Sequence, residues 1–184
     1  MKKIFSMALV ACMATLAMTS CNKDKNSPAD PTDPTGSKPV AAEIHFQANF
    51  DPLTIEQCDI SFDYYDENGN KKNEVVTTAE WKKEVKSASL PATLGFHWNI
   101  AVKPNLDESK YEHFVVDFEF AYSSVVVNGM GVAITAKQGA SFGNRMEMAM
   151  DKRESTVEIL LKHNPINFVH KYDAEGKFTS EDWQ

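Results

Sequence analysis

Beyond residue 40, apolar side chains recur at every second position through most of the chain. Ile44, Phe46, Ala48 and Phe50 alternate with Glu43, His45, Gln47 and Asn49, the period of a strand that buries one face. The same rhythm carries Cys58, Ile60, Phe62 and Tyr64 against Gln57, Asp59, Ser61 and Asp63. It is clearest in Leu94, Phe96, Trp98, Ile100 and Val102, and it returns in Phe114, Val116, Phe118, Phe120 and Tyr122. Ile166, Phe168, His170 and Tyr172 follow Pro165, and Val157, Ile159 and Leu161 predict one more strand before it.

Turn residues punctuate these runs. Asp66-Glu67-Asn68-Gly69-Asn70 follows the second strand, and Asn-Gly favours the centre of a type I′ turn because both residues accept positive φ. A hairpin returning through Lys71 to Thr78 is expected. Asn128-Gly129-Met130-Gly131 lies between Val125–Val127 and Val132–Ile134 and predicts a second tight reversal. Tyr172-Asp173-x-x-Gly176 repeats the spelling of Tyr65-Asp66-x-x-Gly69 and predicts a similar turn. Leu90-Pro91 marks a corner, since proline has no donor for a central ladder. Gln138 to Asn144 is small and polar and reads as a loop, and Asn105 to Tyr111 as a polar connection. Trp81 and Val85 fit a helical turn and a bent strand equally well.

Many short strands, little helix and no βαβ alternation argue against a parallel sheet. The pattern predicts an all-β domain, an antiparallel β-sandwich of about seven to nine strands that is immunoglobulin-like only in the loose sense. A closed β-barrel satisfies the same alternation and is the alternative. The Cys…Trp…Cys spacing of true immunoglobulin domains is absent.

The first 40 residues follow other rules. Met1-Lys2-Lys3 opens a positive start, Ile4 to Ala17 is apolar, and Met18-Thr19-Ser20 places small residues before Cys21. The apolar run is short for a membrane span. Asn22 to Pro39 then holds Pro28, Pro31, Pro34 and Pro39 with almost nothing to bury. Partly extended at ~3.1 Å per residue, such a tether spans roughly 50 Å. This N-terminal region resembles that of a small Bacteroidetes-type lipoprotein, with signal peptide, lipobox and Pro-rich linker. The resemblance implies three parts: a signal peptide at 1–20, a lipidated Cys21 with a flexible linker at 21–40, and one β-sandwich domain at 41–184. It also implies lipid attachment to the membrane through Cys21 and a place in the cell envelope, in the outer membrane, facing the periplasm or the cell surface. Met18 departs from the family's usual Leu, and only Asp24, between Lys23 and Lys25, supplies an acidic residue after the cysteine.

Charge narrows the partners. The chain carries a net charge of −7, and removal of residues 1–20 takes away Lys2 and Lys3 but no acid, which leaves −9. Nucleic acid is therefore not an expected partner. Cys12 would leave with the signal peptide, so Cys58 would have no thiol partner and no disulfide framework is expected. Its place on an inward strand face is that of a small buried hydrophobe.

Candidate chemistry is sparse. The five histidines form no His-x-His or His-x3-His pair, so a zinc site has no local scaffold. Asp66, Asn68 and Asn70 alternate like calcium ligands, but the glycine falls too early for an EF-hand loop. Met146, Met148 and Met150 offer soft thioethers of the kind that hold Cu(I), or fill a strand face. Asp117 and Glu119 share a strand face that reads as solvated. No nucleophile elbow, P-loop, dinucleotide fingerprint or His-Glu-x-x-His is present, so a non-enzymatic protein without cofactor is expected. Trp81, Trp183 and Tyr111 fall outside the inward alternation and are the candidates to stack sugar rings. The expectation is a binding or adhesion module for glycan or a partner protein of the envelope. A structural subunit of an outer-membrane or fimbrial assembly is the alternative, and copper handling a third reading.

Overall fold

The computed structural model describes residues 38–184. Cys21 and the stretches expected to be a leader and a tether, through residue 37, lie outside the described residues. The chain forms two antiparallel sheets and no closed barrel, as the alternation predicts. In order come β1 (Pro39–Phe50), α1 (Pro52–Gln57), β2 (Cys58–Tyr65), β3 (Lys71–Val76), β4 (Glu80–Lys86), β5 (Ala92–Val102), β6 (Phe114–Asn128), β7 (Gln138–Met148), α2 (Arg153–His163), β8 (Asn167–Tyr172) and β9 (Phe178–Glu181). One sheet has the order β4-β1-β6-β7 and the other β3-β2-β5-β8-β9. The first strand begins at Pro39, inside the stretch that composition assigns to the tether.

Register turns the alternation into a core. β1 lies between β4 and β6, with Ala48 opposite Trp81 on one side and Phe120 on the other. Ile44, Phe46, Ala48 and Phe50 are all buried, and across from them lie Ile60, Phe62, Leu94, Phe96 and Trp98. Phe96 is at the centre, with ring centroids 5.1 Å from Phe46, 4.8 Å from Phe62 and 4.5 Å from Phe120. Burying each such ring stabilises the fold by about 1.5–3 kcal/mol. Trp98 meets Phe118 at 4.7 Å and extends the aromatic layer toward the other end. Cys58 is buried as expected, and burial, the largest influence on it, pushes the thiol up to about 12, far from a reactive thiolate.

Several elements differ from the sequence expectation. Trp81 and Val85 both face inward from β4, which settles that stretch as strand. Gln138–Asn144 is not a loop but most of β7, which pairs with β6 along its full length. Val157, Ile159 and Leu161 do not form a strand: they lie on α2, where Val157 and Leu160 are buried and Ile159 and Leu161 exposed. Three alternating aliphatics mimicked a strand there, whereas the buried pair has helical spacing. Helix α1 has a legible start, because Asp51 accepts from the Leu53 N–H at 2.8 Å and Pro52 follows the cap. Its Gln57 is fully buried, donating to the His113 carbonyl at 2.9 Å and accepting from the Val115 N–H at 2.7 Å.

The turns share one design. In Asp66–Asn70 the Gly69 N–H bonds to the Asp66 carbonyl and the Asp66 N–H to the Asn70 carbonyl. Gly69 has φ 75°, so the loop spans Glu67, Asn68 and Gly69, and Asn68-Gly69 is not the centre of a two-residue turn. Asn128–Val132 and Asp173–Lys177 repeat those bonds, with Gly131 and Gly176 at φ 74° and 75°. In each, the first side chain accepts two main-chain N–H groups. The rule is Asx-x-x-Gly-x: the Asx oxygen holds the loop closed and glycine supplies the left-handed residue.

Candidate functional site

The outer face of the five-stranded sheet carries the most organised set of polar and aromatic side chains. One rung sets Asn73, Asp63, His97 and Asn167 side by side across β3, β2, β5 and β8. Asp63 accepts from the Asn73 amide at 2.7 Å and from the Asn99 amide at 2.9 Å. With its nitrogen committed to Asp63, Asn99 turns its oxygen to His97 Nε2, 3.2 Å away. Nε2 therefore donates to Asn99, and among the described residues the buried Nδ1 has no partner.

Beyond β9 the chain doubles back over this face. The Trp183 N–H donates to Asn167 Oδ1 at 2.6 Å, and the Lys71 ammonium to the Gln184 carbonyl at 2.7 Å. The indole lies 4.6 Å from the Tyr65 ring, runs nearly parallel to His97 at 15° and 6.4 Å, and has Lys71 Nζ 4.9 Å from its centre. Tyr65, His97 and Trp183 are all half-buried. Beside them runs a groove of about 350 Å³ that includes Tyr65, Lys71, Thr93, Lys171, Glu181 and Asp182. An aromatic platform flanked by amides, carboxylates and ammonium groups can stack an apolar ring face and bond its hydroxyls.

The three aromatics singled out from the sequence do not come together. Trp183 alone belongs to this face. Trp81 is buried between the sheets, 4.6 Å from Phe62, and its indole N–H donates to Glu74 at 2.9 Å. Tyr111 bonds Glu56 of α1 at 3.3 Å, next to the Cys58 end of β2, whereas Trp183 sits on Tyr65 at the other end. Burial, with the Glu56 carboxylate second, raises the Tyr111 hydroxyl above its ordinary value. Tyr65 and His97 complete the platform in their place. Their signal was present: both occupy outward positions of otherwise polar rows, where a large ring has no core to fill.

The metal candidates fall elsewhere. Asp66 is committed to its turn, accepting from the Asn68 and Asn70 N–H groups and pairing with Lys72 at 3.3 Å. These bonds hold its carboxyl below the usual range, the Asn70 N–H contributing most. Met146 and Met150 pack against the core while Met148 is 42% exposed. Asp117 pairs with Arg145 at 2.7 Å, and Arg145 also reaches Glu147 at 3.1 Å. A trio not anticipated from spacing, Glu43, His45 and Glu84, brings three ligand atoms within 4.8 Å of one another on the outer face of the four-stranded sheet. The donor set suits a divalent cation, but Lys86 already binds Glu43 at 2.6 Å.

A larger open groove of about 870 Å³ adjoins that trio, with His45, Glu84, Ser123 and Lys137 in its walls. Of its aromatic lining residues, Phe46 is buried and Tyr122 stacks on the core ring Phe168 at 4.1 Å, which leaves the His45 ring alone. It thus lacks the platform found on the opposite sheet. Among the described residues no helix is long and apolar enough to cross a membrane. The chain matches no protein-family model, no curated protein and no solved structure.

Proposed function

We propose that this chain is a lipid-anchored, non-enzymatic binding module of the bacterial cell envelope, and that the outer face of its five-stranded sheet takes a glycan. The observation that carries the proposal is the Trp183 indole laid beside Tyr65 and His97, next to the Asn73–Asp63–Asn99 hydrogen-bonded row. Sugar rings present apolar C–H faces to aromatic surfaces and hydroxyls to carboxylate and amide groups, and this face supplies both. The acidic balance of the chain favours a neutral or basic saccharide over an anionic one.

The location follows from the leader. Lys2, Lys3, the apolar run to Ala17 and Cys21 support lipid attachment, and two acyl chains suffice for stable anchoring. The full-length chain on a glycan array tests the proposal: binding is expected, with about a tenfold or greater loss in Trp183→Ala and little change in Tyr111→Ala. A silent array, or binding indifferent to Trp183, rejects the glycan face. Separately, Cys21→Ser is expected to move the protein from the membrane to the soluble fraction. Retention of that variant with lipid still attached would reject the anchor.

A further inference from the structure

Four edge strands bound the two sheets: β4 and β7 in one, β3 and β9 in the other. Exposed edges offer unpaired main-chain groups to any passing strand, and proteins ordinarily blunt them with charge, proline or brevity. β4 carries Lys82, Lys83, Glu84 and Lys86, β3 opens with Lys71-Lys72, and β9 has only 4 residues. β7 has only Arg145 and Glu147, both near its end, to serve this way. It runs for 11 residues without proline and without a charge from Gln138 to Asn144. Among the described residues, no turn or loop main-chain hydrogen bond reaches its second edge.

We infer that β7 pairs with β7 of a second copy of this chain, antiparallel about a two-fold axis at Gly143. Two four-stranded sheets then become one continuous sheet. The strand itself selects this occupant. Its first half is small, with Gly139, Ala140 and Ser141, and its second half large, with Arg145, Met146 and Glu147. With Gly143 on the axis, Ser141 faces Arg145 of the second copy, Ala140 faces Met146 and Gly139 faces Glu147. Arg145, Met146 and Glu147 thus each meet a shorter side chain, and no like charges meet. An in-register parallel pair would instead set Arg145 against Arg145 and Glu147 against Glu147, which opposes association. The antiparallel arrangement is isologous and closed, so it stops at two copies. It also covers the inward row of β7, where Phe142 and Met146 are half-buried and Met148 is exposed.

Native mass spectrometry of the detergent-solubilised full-length chain tests this. A dimer is expected. Ser141 is exposed in the single chain, so its substitution leaves the core intact. Ser141→Lys sets a second cation against Arg145 on both sides of the axis and weakens the dimer roughly tenfold, while Ser141→Glu sets a carboxylate there and tightens it about threefold. A monomeric wild-type chain overturns the proposal, whether or not it takes up a strand from another protein. So does a Ser141→Lys dimer as tight as wild type. Should Ser141→Lys fail to fold by circular dichroism, Ser141→Glu decides alone: a dimer no tighter than wild type rejects the Gly143 register.

Discussion

The two flanks of the sandwich are closed in different ways. On the β3/β4 flank, Trp81 fills the gap between sheets and its N–H bonds Glu74. Glu74 also accepts from the Tyr64 hydroxyl at 3.2 Å and from Lys83 at 3.1 Å, and Lys83 lies 4.9 Å from the centre of the Tyr64 ring. Burial alone would raise the Glu74 carboxyl, but the Trp81, Lys83 and Tyr64 donors together hold it below its ordinary value. An apolar plug is thereby clasped under a polar seal. The β7 flank has the plug without the seal. Phe142 reaches Phe120 at 6.3 Å, yet it and Met146 remain half-exposed. A sandwich edge can be finished within one chain or left for another surface to finish.

The largest expected effect tests that contrast directly. Trp81→Ala removes a buried ring and is expected to destabilise by about 3–5 kcal/mol in urea denaturation. Phe142→Ala on the open flank should cost only about 1–2 kcal/mol, because half of its surface already faces water. Equal losses would erase the difference between the flanks. Next comes the clasp itself. Glu74→Ala strands the Trp81 N–H and is expected to cost about 1–2 kcal/mol near neutrality.

Its pH dependence has a definite sign. The folded carboxyl titrates below its ordinary 4.5, so its contribution is complete above that value and is lost as pH falls through the lower folded value. The gap between wild type and Glu74→Ala should close in acid, and a gap unchanged at pH 3 would show that the ion pairing is immaterial. The smallest effect belongs to Arg145, which is exposed with its partner Glu147 and bonds a half-buried Asp117. Arg145→Gln should shift stability by no more than about 0.5 kcal/mol. A larger loss would mean that β7 is sealed after all.

The same contrast explains which parts of the fold were legible in the sequence. β1, β2, β5, β6 and β8 each bury a full row, so their apolar alternation is strong. β7 fully buries none of its inward row, and Gln138, Ala140 and Asn144 look like loop residues because an edge position does not demand hydrophobes. α2 was obscured for the opposite reason: Ile159 and Leu161 are apolar yet exposed, which made a two-residue period out of a helix. At the site, Trp183 stood out because no alternation claimed it. Tyr65 and His97 did not, since only the pairing of Asp63 with His97 across β2 and β5, and the return of the chain over them, brings them to one place. Trp81 was misjudged because an isolated Trp-x3-Val offers no period from which to assign a face.

The position of β1 in the sheet order bears on how the molecule is made. Phe50 pairs with Phe118 and Pro39 with Asn128, so the first strand waits for a partner that is synthesised long after it. The hairpins β2–β3 and β8–β9, each closed by an Asx-x-x-Gly turn, need only neighbouring residues and can form early. During synthesis, β1 thus emerges with Ile44, Phe46 and Phe50 facing water until the opposite sheet is made to cover them. This inner strand can therefore pair on its β4 side before the β6 side exists.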